Sequence, residues 1–295
     1  MKPMRLNLAL IRKMCIAAFA CMGLVYSYAN CAEQGTANPE KRIALVIGNS
    51  SYRFSPLKNP VNDARAVSAS LRALGFTVTV RENTNLQALI DAMRNFWLES
   101  KHSDVRLVFY AGHGVQVRGK NYLVPVDTDL LSEEEVPAKS ADLTGLLERL
   151  GELESGVNIV ILDACRTNPF ANLTIAAADG RALKTRGAAR LGLAQVSAPQ
   201  GTLVAFSTAP GSTAIDSGKA PNSLYTKHLL ANLSMPGLPL EQMFKRVRIG
   251  VAQETKRAQV PWENSSLMGD FCFKTLPGSK CGETEYSLVD PSKIR

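Results

Sequence analysis

The chain has 295 residues, a formal net charge of +8 and 45% hydrophobic residues, enough for one sizeable core plus extensions. Its first 29 residues hold four basic and no acidic residues, so without them the charge is +4. That mild excess, with no basic patch interleaved with aromatics, gives no nucleic-acid footprint. No Cys/His spacing suits a zinc site.

Lys2, Arg5, Arg12 and Lys13 precede an uncharged stretch over residues 14–26, and Ser27 and Ala29 put small residues at −3 and −1 of a cleavage site. The stretch over 14–26 is too short for a comfortable span, so residues 1–32 read as a cleaved secretory signal, which implies a periplasmic or secreted protein. An uncleaved inner-membrane anchor is the second choice, and only then is the membrane a partner. A lipoprotein signal at Cys31 is a weaker match, because Asn30 precedes the Cys. Residues 33–40 are a polar linker, and residues 41–273 hold the domain.

Strands are expected over 42–48 and 76–80, and a helix between them, with Asn59 as its cap, Pro60 at its first position and a stripe of Ala64, Val67, Leu71 and Leu74. Leu86, Leu89, Ile90, Met93 and Trp97 line a second helix. Residues 105–110 and 157–162 are β-branched, nearly continuous apolar runs, the mark of buried parallel strands. Residues 115–126 read as a hairpin turning at Arg118-Gly119-Lys120-Asn121, and 143–153 as a short helix. Residues 168–200 lack periodicity, which in a compact domain marks a functional or mobile loop. A strand over 202–207 and helices over 224–233 and 240–251 follow. Residues 267–273 are expected to close the sheet, and 274–295 to form a polar tail. Alternating strands and helices imply a mainly parallel α/β sheet with right-handed crossovers.

Two runs carry chemistry. Phe109-Tyr110-Ala111-Gly112-His113-Gly114 and Ile161-Leu162-Asp163-Ala164-Cys165-Arg166 each end a buried strand in a small stretch bearing a basic or nucleophilic side chain. An isolated Cys is ordinarily an inert small hydrophobe, and an isolated His a structural residue. Here His113 and Cys165 sit at matching strand ends, where open α/β sheets hold their ligands. An imidazole beside a thiol is the minimal apparatus for a thiolate nucleophile.

Tyr-Ala-Gly-His-Gly followed 52 residues after its His by the Cys of Asp-Ala-Cys-Arg resembles the caspase-like cysteine peptidases of clan CD, peptidase family C14. Bacterial caspase-domain proteins related to metacaspases resemble it most. Ala44-Leu45-Val46-Ile47-Gly48-Asn49, Leu57-Lys58-Asn59-Pro60-Val61-Asn62-Asp63, Leu123-Val124-Pro125-Val126-Asp127 and Val260-Pro261-Trp262-Glu263-Asn264-Ser265-Ser266-Leu267 agree, in order. The resemblance implies a three-layer sandwich, a mainly parallel sheet of about six strands flanked by helices. It implies a cysteine endopeptidase working through an acyl-enzyme, with His113 and Cys165 as the dyad. The backbone N–H groups of Gly114 and Cys165 would form the oxyanion hole. Metacaspase-like enzymes line the S1 pocket with two aspartates, one two positions before the nucleophile and one closing an Asn-Asp pair at the first helix, here Asp163 and Asp63. Caspases carry Gln at the former position. The carboxylates therefore imply protein or peptide substrates cut after Arg or Lys, and Asp216 is a further candidate for S1.

Arg181, Lys184, Arg186 and Arg190, in the loop after the nucleophile, would be legal self-cleavage sites for such a pocket, or an ordinary solvated basic loop. Cys272 and Cys281, nine positions apart across a Pro-Gly turn, would close a small loop as a disulfide in an oxidising compartment, or stay as two thiols. No metal or cofactor is expected. Some metacaspase relatives need calcium, but no EF-hand-like run is present and Asp127, Asp129 and residues 133–135 read as a solvated loop. The third catalytic residue, the natural substrate and the oligomeric state carry no sequence signal. The alternative function is a non-catalytic caspase-fold peptide binder or scaffold.

Overall fold

The computed structural model describes residues 40–53, 55–165, 175–176, 182–183, 193, 196–209 and 220–281. Six strands form the main path of the sheet, in the order β10 (Trp262–Ser265), β9 (Thr202–Phe206), β6 (Val157–Cys165), β3 (Val105–Val117), β1 (Arg42–Gly48) and β2 (Phe76–Glu82). All pairings along it are parallel except β9 with β10. β4 (Lys120–Leu123) pairs antiparallel with β3, and β5 (Ala141–Asp142) with β4, making eight strands in all. Between β6 and β9, β7 (Ile175–Ala176) and β8 (Ala182–Leu183) form a separate two-stranded ribbon.

Strand periodicity sorts the core into two layers. Ala44 and Val46, Leu107 and Phe109, Ile159 and Ile161, and Leu203 and Ala205 face one side, with α1 (Pro60–Ala73), α5 (Leu224–Leu233) and α6 (Leu240–Glu254). Leu45 and Ile47, Val108 and Tyr110, Val160 and Leu162, and Val204 and Phe206 face the other, with α2 (Leu86–Ser100) and α4 (Leu143–Gly151). Each fully buried Leu, Ile, Val or Phe side chain contributes about 1.5–3 kcal/mol, so both faces must be covered. The result is the expected three-layer sandwich. The short helix α3 (Val136–Lys139) supports the β3–β4 hairpin through buried Val136.

Local chemistry sets the element ends. Asn85 caps α2 by accepting from the Ala88 N–H at 2.8 Å, and Asp142 caps α4 by accepting from the Gly145 N–H at 2.9 Å. Pro60 starts α1, but the Asn59 side chain makes no cap bond. Gly48 lets α1 start directly against the end of β1: a Cβ there would sit 2.4 Å from the Pro60 carbonyl oxygen.

Several expectations shift. Residues 267–273 do not close the sheet; β10, a polar Trp-Glu-Asn-Ser strand, does. An edge strand pairs on one side only and needs no apolar alternation. Phe271 and Phe273 instead flank Arg42, which donates to the Phe273 carbonyl at 2.7 Å and stacks on the Phe76 and Phe271 rings at 5.7 and 5.5 Å. Cys272 is joined to Cys281 by a disulfide. On α2, Ile90 is 42% exposed, and Ala92 and Phe96 take the core positions. The hairpin turns at Arg118 and Gly119 alone, with φ 50° and 80°, the two-residue geometry that matches strand twist. Among the described residues no helix is long and apolar enough to cross a membrane.

Candidate active site

β1 is followed in sequence by β2 on one side of the sheet, while β3 lies on its other side, so the chain reverses its direction of build at β1 and β3. Open α/β sheets form their ligand crevice at the carboxyl ends of strands beside such a reversal. His113 and Cys165 lie next to this point. They are Cα partners, the last pair of the parallel β3–β6 ladder. β6 ends at Cys165, whereas β3 runs on and takes β4 as its new partner at Gly114. His113 is thus inside a long strand rather than past its end, as the Gly-His-Gly run suggested. The second glycine is where the strand changes partner.

Two phenols grip the His113 peptide. Its N–H donates to Tyr52 Oη at 2.8 Å, and its carbonyl accepts from Tyr110 Oη at 2.6 Å. The two hydroxyl oxygens are 3.2 Å apart, and each is also 3.2 Å from the Val124 carbonyl. The Tyr52 ring lies against the imidazole, centroids 4.3 Å apart. Gly112, with φ 156°, makes the grip possible: a Cβ there would meet Tyr52 Oη at 2.6 Å and Tyr110 Oη at 2.8 Å.

His113 Nε2 is 2.8 Å from the Ser55 carbonyl oxygen. A carbonyl only accepts, so Nε2 carries a proton and Nδ1 is the nitrogen free to change its protonation. Ser55 has φ 56°, an uncommon conformation for a residue with a Cβ and one that costs of order 1 kcal/mol. Burial holds the His113 pKa below its ordinary value, outweighing the Ser55 carbonyl, which acts the other way. Gly114 is buried, with Leu193 against it: a Cβ on Gly114 would sit 2.9 Å from Leu193 Cδ2.

Asp63 and Asp163 meet at the start of α5. Asp163 follows Ile159 and Ile161 in strand parity, so it faces the layer of α1, α5 and α6. Asp63 Oδ1 accepts from Asn222 Nδ2 and from the Ser223 N–H, both at 2.9 Å. Asp163 Oδ2 accepts from Ser223 Oγ and, at 3.0 Å, from Thr226 Oγ1. Asp63 is buried and Asp163 half-buried. Nearby, the Ser207, Thr208 and Tyr225 hydroxyls are buried with no partner among the described residues. Ser207 donates its N–H to the Leu162 carbonyl, one residue from Asp163. Burial, then the negative charges of Asp163 and Glu263, push the Tyr225 phenol far above its usual range.

Asp216, Arg181, Lys184, Arg186 and Arg190 lie outside the described residues, as does the Cys165 side chain. Tyr52, Ser55, Ser223 and Thr226 had no motif to reveal them. Among the described residues no group of three or more His, Cys, Asp or Glu side chains could hold a metal ion.

Residues 41–272 match the family model of the caspase domain, Peptidase C14. Over 140 residues, 45% of this chain and 16% of the other, the sequence is 33% identical to mucosa-associated lymphoid tissue lymphoma translocation protein 1 of Homo sapiens. Over 130 residues, 42% of this chain and 31% of the other, it is 28% identical to caspase-1 of Mus musculus. The chain spans less than a third of the length of these relatives. The match over most of its length, on a mainly parallel sandwich with His113 and Cys165 paired at the sheet's end, makes this chain a member of the caspase-domain family of cysteine peptidases.

Proposed function

We propose that this chain is a cysteine endopeptidase that hydrolyses peptide bonds after Arg or Lys through a His113/Cys165 dyad. One observation carries the reading: the His113–Cys165 pair ends the central ladder, and the carboxylates of Asp163, two residues before Cys165, and of Asp63 both accept hydrogen bonds from Ser223. In this reading half-buried Asp163 and buried Asp63 line the S1 pocket at that turn. A carboxylate pair recognises a guanidinium through charge-assisted, bidentate hydrogen bonds.

In this mechanism the Cys165 thiol gives its proton to His113, and the thiolate attacks the scissile carbonyl carbon. The oxyanion is met by the N–H groups of Gly114 and Cys165. As the C–N bond breaks, the leaving amine takes the proton from His113 Nδ1. Water then attacks the thioester, His113 accepts its proton, and the thiolate departs. The Ser55 carbonyl holds Nε2–H throughout, which keeps Nδ1 on the reacting side. A burial-lowered pKa makes the imidazolium a readier proton donor. Thiolate hydrolysis of this kind needs no cofactor.

Self-cleavage in the loop of residues 168–200, at Arg181, Lys184, Arg186 or Arg190, and export to the periplasm belong to the same proposal. The test is a P1 library scan of wild type, Asp63→Asn and Asp163→Asn. Each substitution keeps the shape and removes a charge, so Arg cleavage should fall roughly ten- to a hundredfold in kcat/KM. A wild-type preference for Asp at P1, or unchanged Arg cleavage in both variants, would overturn the specificity.

A further inference from the structure

The two carboxylates come from distant parts of the chain, one on the first helix and one at the end of a central strand. Nothing in either segment alone sets their relative position. A third segment touches both. Ser223 is the N-cap of α5: its Oγ accepts from the Thr226 N–H at 2.9 Å while its hydroxyl hydrogen goes to Asp163 Oδ2. The N–H of the same residue donates to Asp63 Oδ1 at 2.9 Å. Asn222 Nδ2 adds a second donor to Asp63, and Thr226 Oγ1 a second donor to Asp163. One residue therefore bonds both carboxylates, through its backbone on one side and its side chain on the other.

We propose that the Asn222–Ser223–Thr226 turn is a specificity-positioning element: it locks Asp63 and Asp163 into one cation receptor and so sets the preference for Arg over an uncharged P1 side chain. The inference rests on the S1 reading above. Two carboxylates facing a single pocket repel each other until a cation arrives. Four donors and the positive end of α5, aimed at them from one side, offset that repulsion and leave the pair formed before substrate binds. A guanidinium then meets a fixed geometry, and the gain is largest for Arg, whose planar fork demands it. These side chains do not touch the scissile bond, so they act through the aspartates.

The experiment measures kcat/KM for matched peptide reporters carrying Arg or citrulline at P1; citrulline keeps the shape of Arg without its charge. It uses the full mature chain as wild type, Ser223→Gly, Ser223→Thr and Thr226→Val. Glycine is a tolerated N-cap, so Ser223→Gly deletes the hydroxyl bridge with little loss of helix stability. Thr226→Val is near-isosteric. The Arg/citrulline ratio should fall about tenfold or more in Ser223→Gly and in Thr226→Val, with a melting temperature close to wild type, and recover in Ser223→Thr. The inhibition constant of agmatine, an arginine head group without a peptide, should rise in parallel. An unchanged ratio in both hydroxyl-deletion variants, with wild type preferring Arg, would overturn the positioning role alone. A wild type with no preference for Arg over citrulline would overturn the S1 reading and this inference with it.

Discussion

Tyr52→Phe deletes one hydroxyl and keeps the ring that lies 4.3 Å from the His113 imidazole, centroid to centroid. The His113 N–H loses its 2.8 Å acceptor. The Val124 carbonyl still accepts from Asn49 Nδ2 at 3.3 Å, and Tyr110 keeps its one hydroxyl hydrogen on the His113 carbonyl at 2.6 Å. The net change is one buried donor left without its tyrosine partner, about 1–3 kcal/mol. For a domain of this size each kcal/mol lowers Tm by about 2–4 °C, so a loss near 2 kcal/mol predicts a fall of roughly 4–8 °C. The freed peptide also lets the ring drift from the Ser55 carbonyl, so kcat should drop while KM for an Arg reporter holds. Thermal unfolding followed by near-ultraviolet circular dichroism, with steady-state kinetics on the same preparation, reads both. An unchanged Tm together with an unchanged kcat would refute the argument that the two phenols hold His113.

Two further outcomes concern the disulfide and pH. Replacing Cys272 and Cys281 with Ser should lower stability by roughly 2.5 kcal/mol, the chain-entropy value for so short a loop, and leave peptidase activity in place; mapping both thiols as free in exported wild-type protein would contradict it. The folded pKa of His113 lies below its ordinary 6.5, so the unfolded chain takes up a proton first as pH falls. Stability should therefore decline as pH drops below 6.5 toward the folded pKa and stay level above 6.5 as far as this group is concerned. His113→Gln should remove that part of the slope in urea midpoints at pH 5.5 and 7.5, and parallel slopes in the two proteins would argue against a buried imidazole.

What could be read from the sequence was what side-chain identity and local period encode. β1 was read to the residue because a short, β-branched apolar run ending in Gly48-Asn49 is too short for a helix, and α5 because its stripe spans whole turns. His113 and Cys165 stood out because reactive side chains interrupt such runs. β10 was missed because an edge strand tolerates Glu and Asn. The Ser55 carbonyl is a backbone group and has no residue signature; its role depends on where a loop happens to aim it. Ser223 lies 60 residues from Asp163 and 160 from Asp63, and no local pattern foretells a hydrogen bond over such separations. Tyr110 was visible only as another apolar strand residue, since its hydroxyl acts across the sheet's end.

The most direct test of the account is covalent labelling of the purified protein with an arginyl chloromethyl ketone peptide, followed by mass mapping. The thiolate would displace chloride and form a thioether. The account predicts a single adduct on Cys165, much slowed in His113→Ala and Asp163→Asn, with an aspartyl ketone labelling poorly. An adduct elsewhere, or faster labelling by the aspartyl reagent, would contradict a basic-specific His113/Cys165 peptidase.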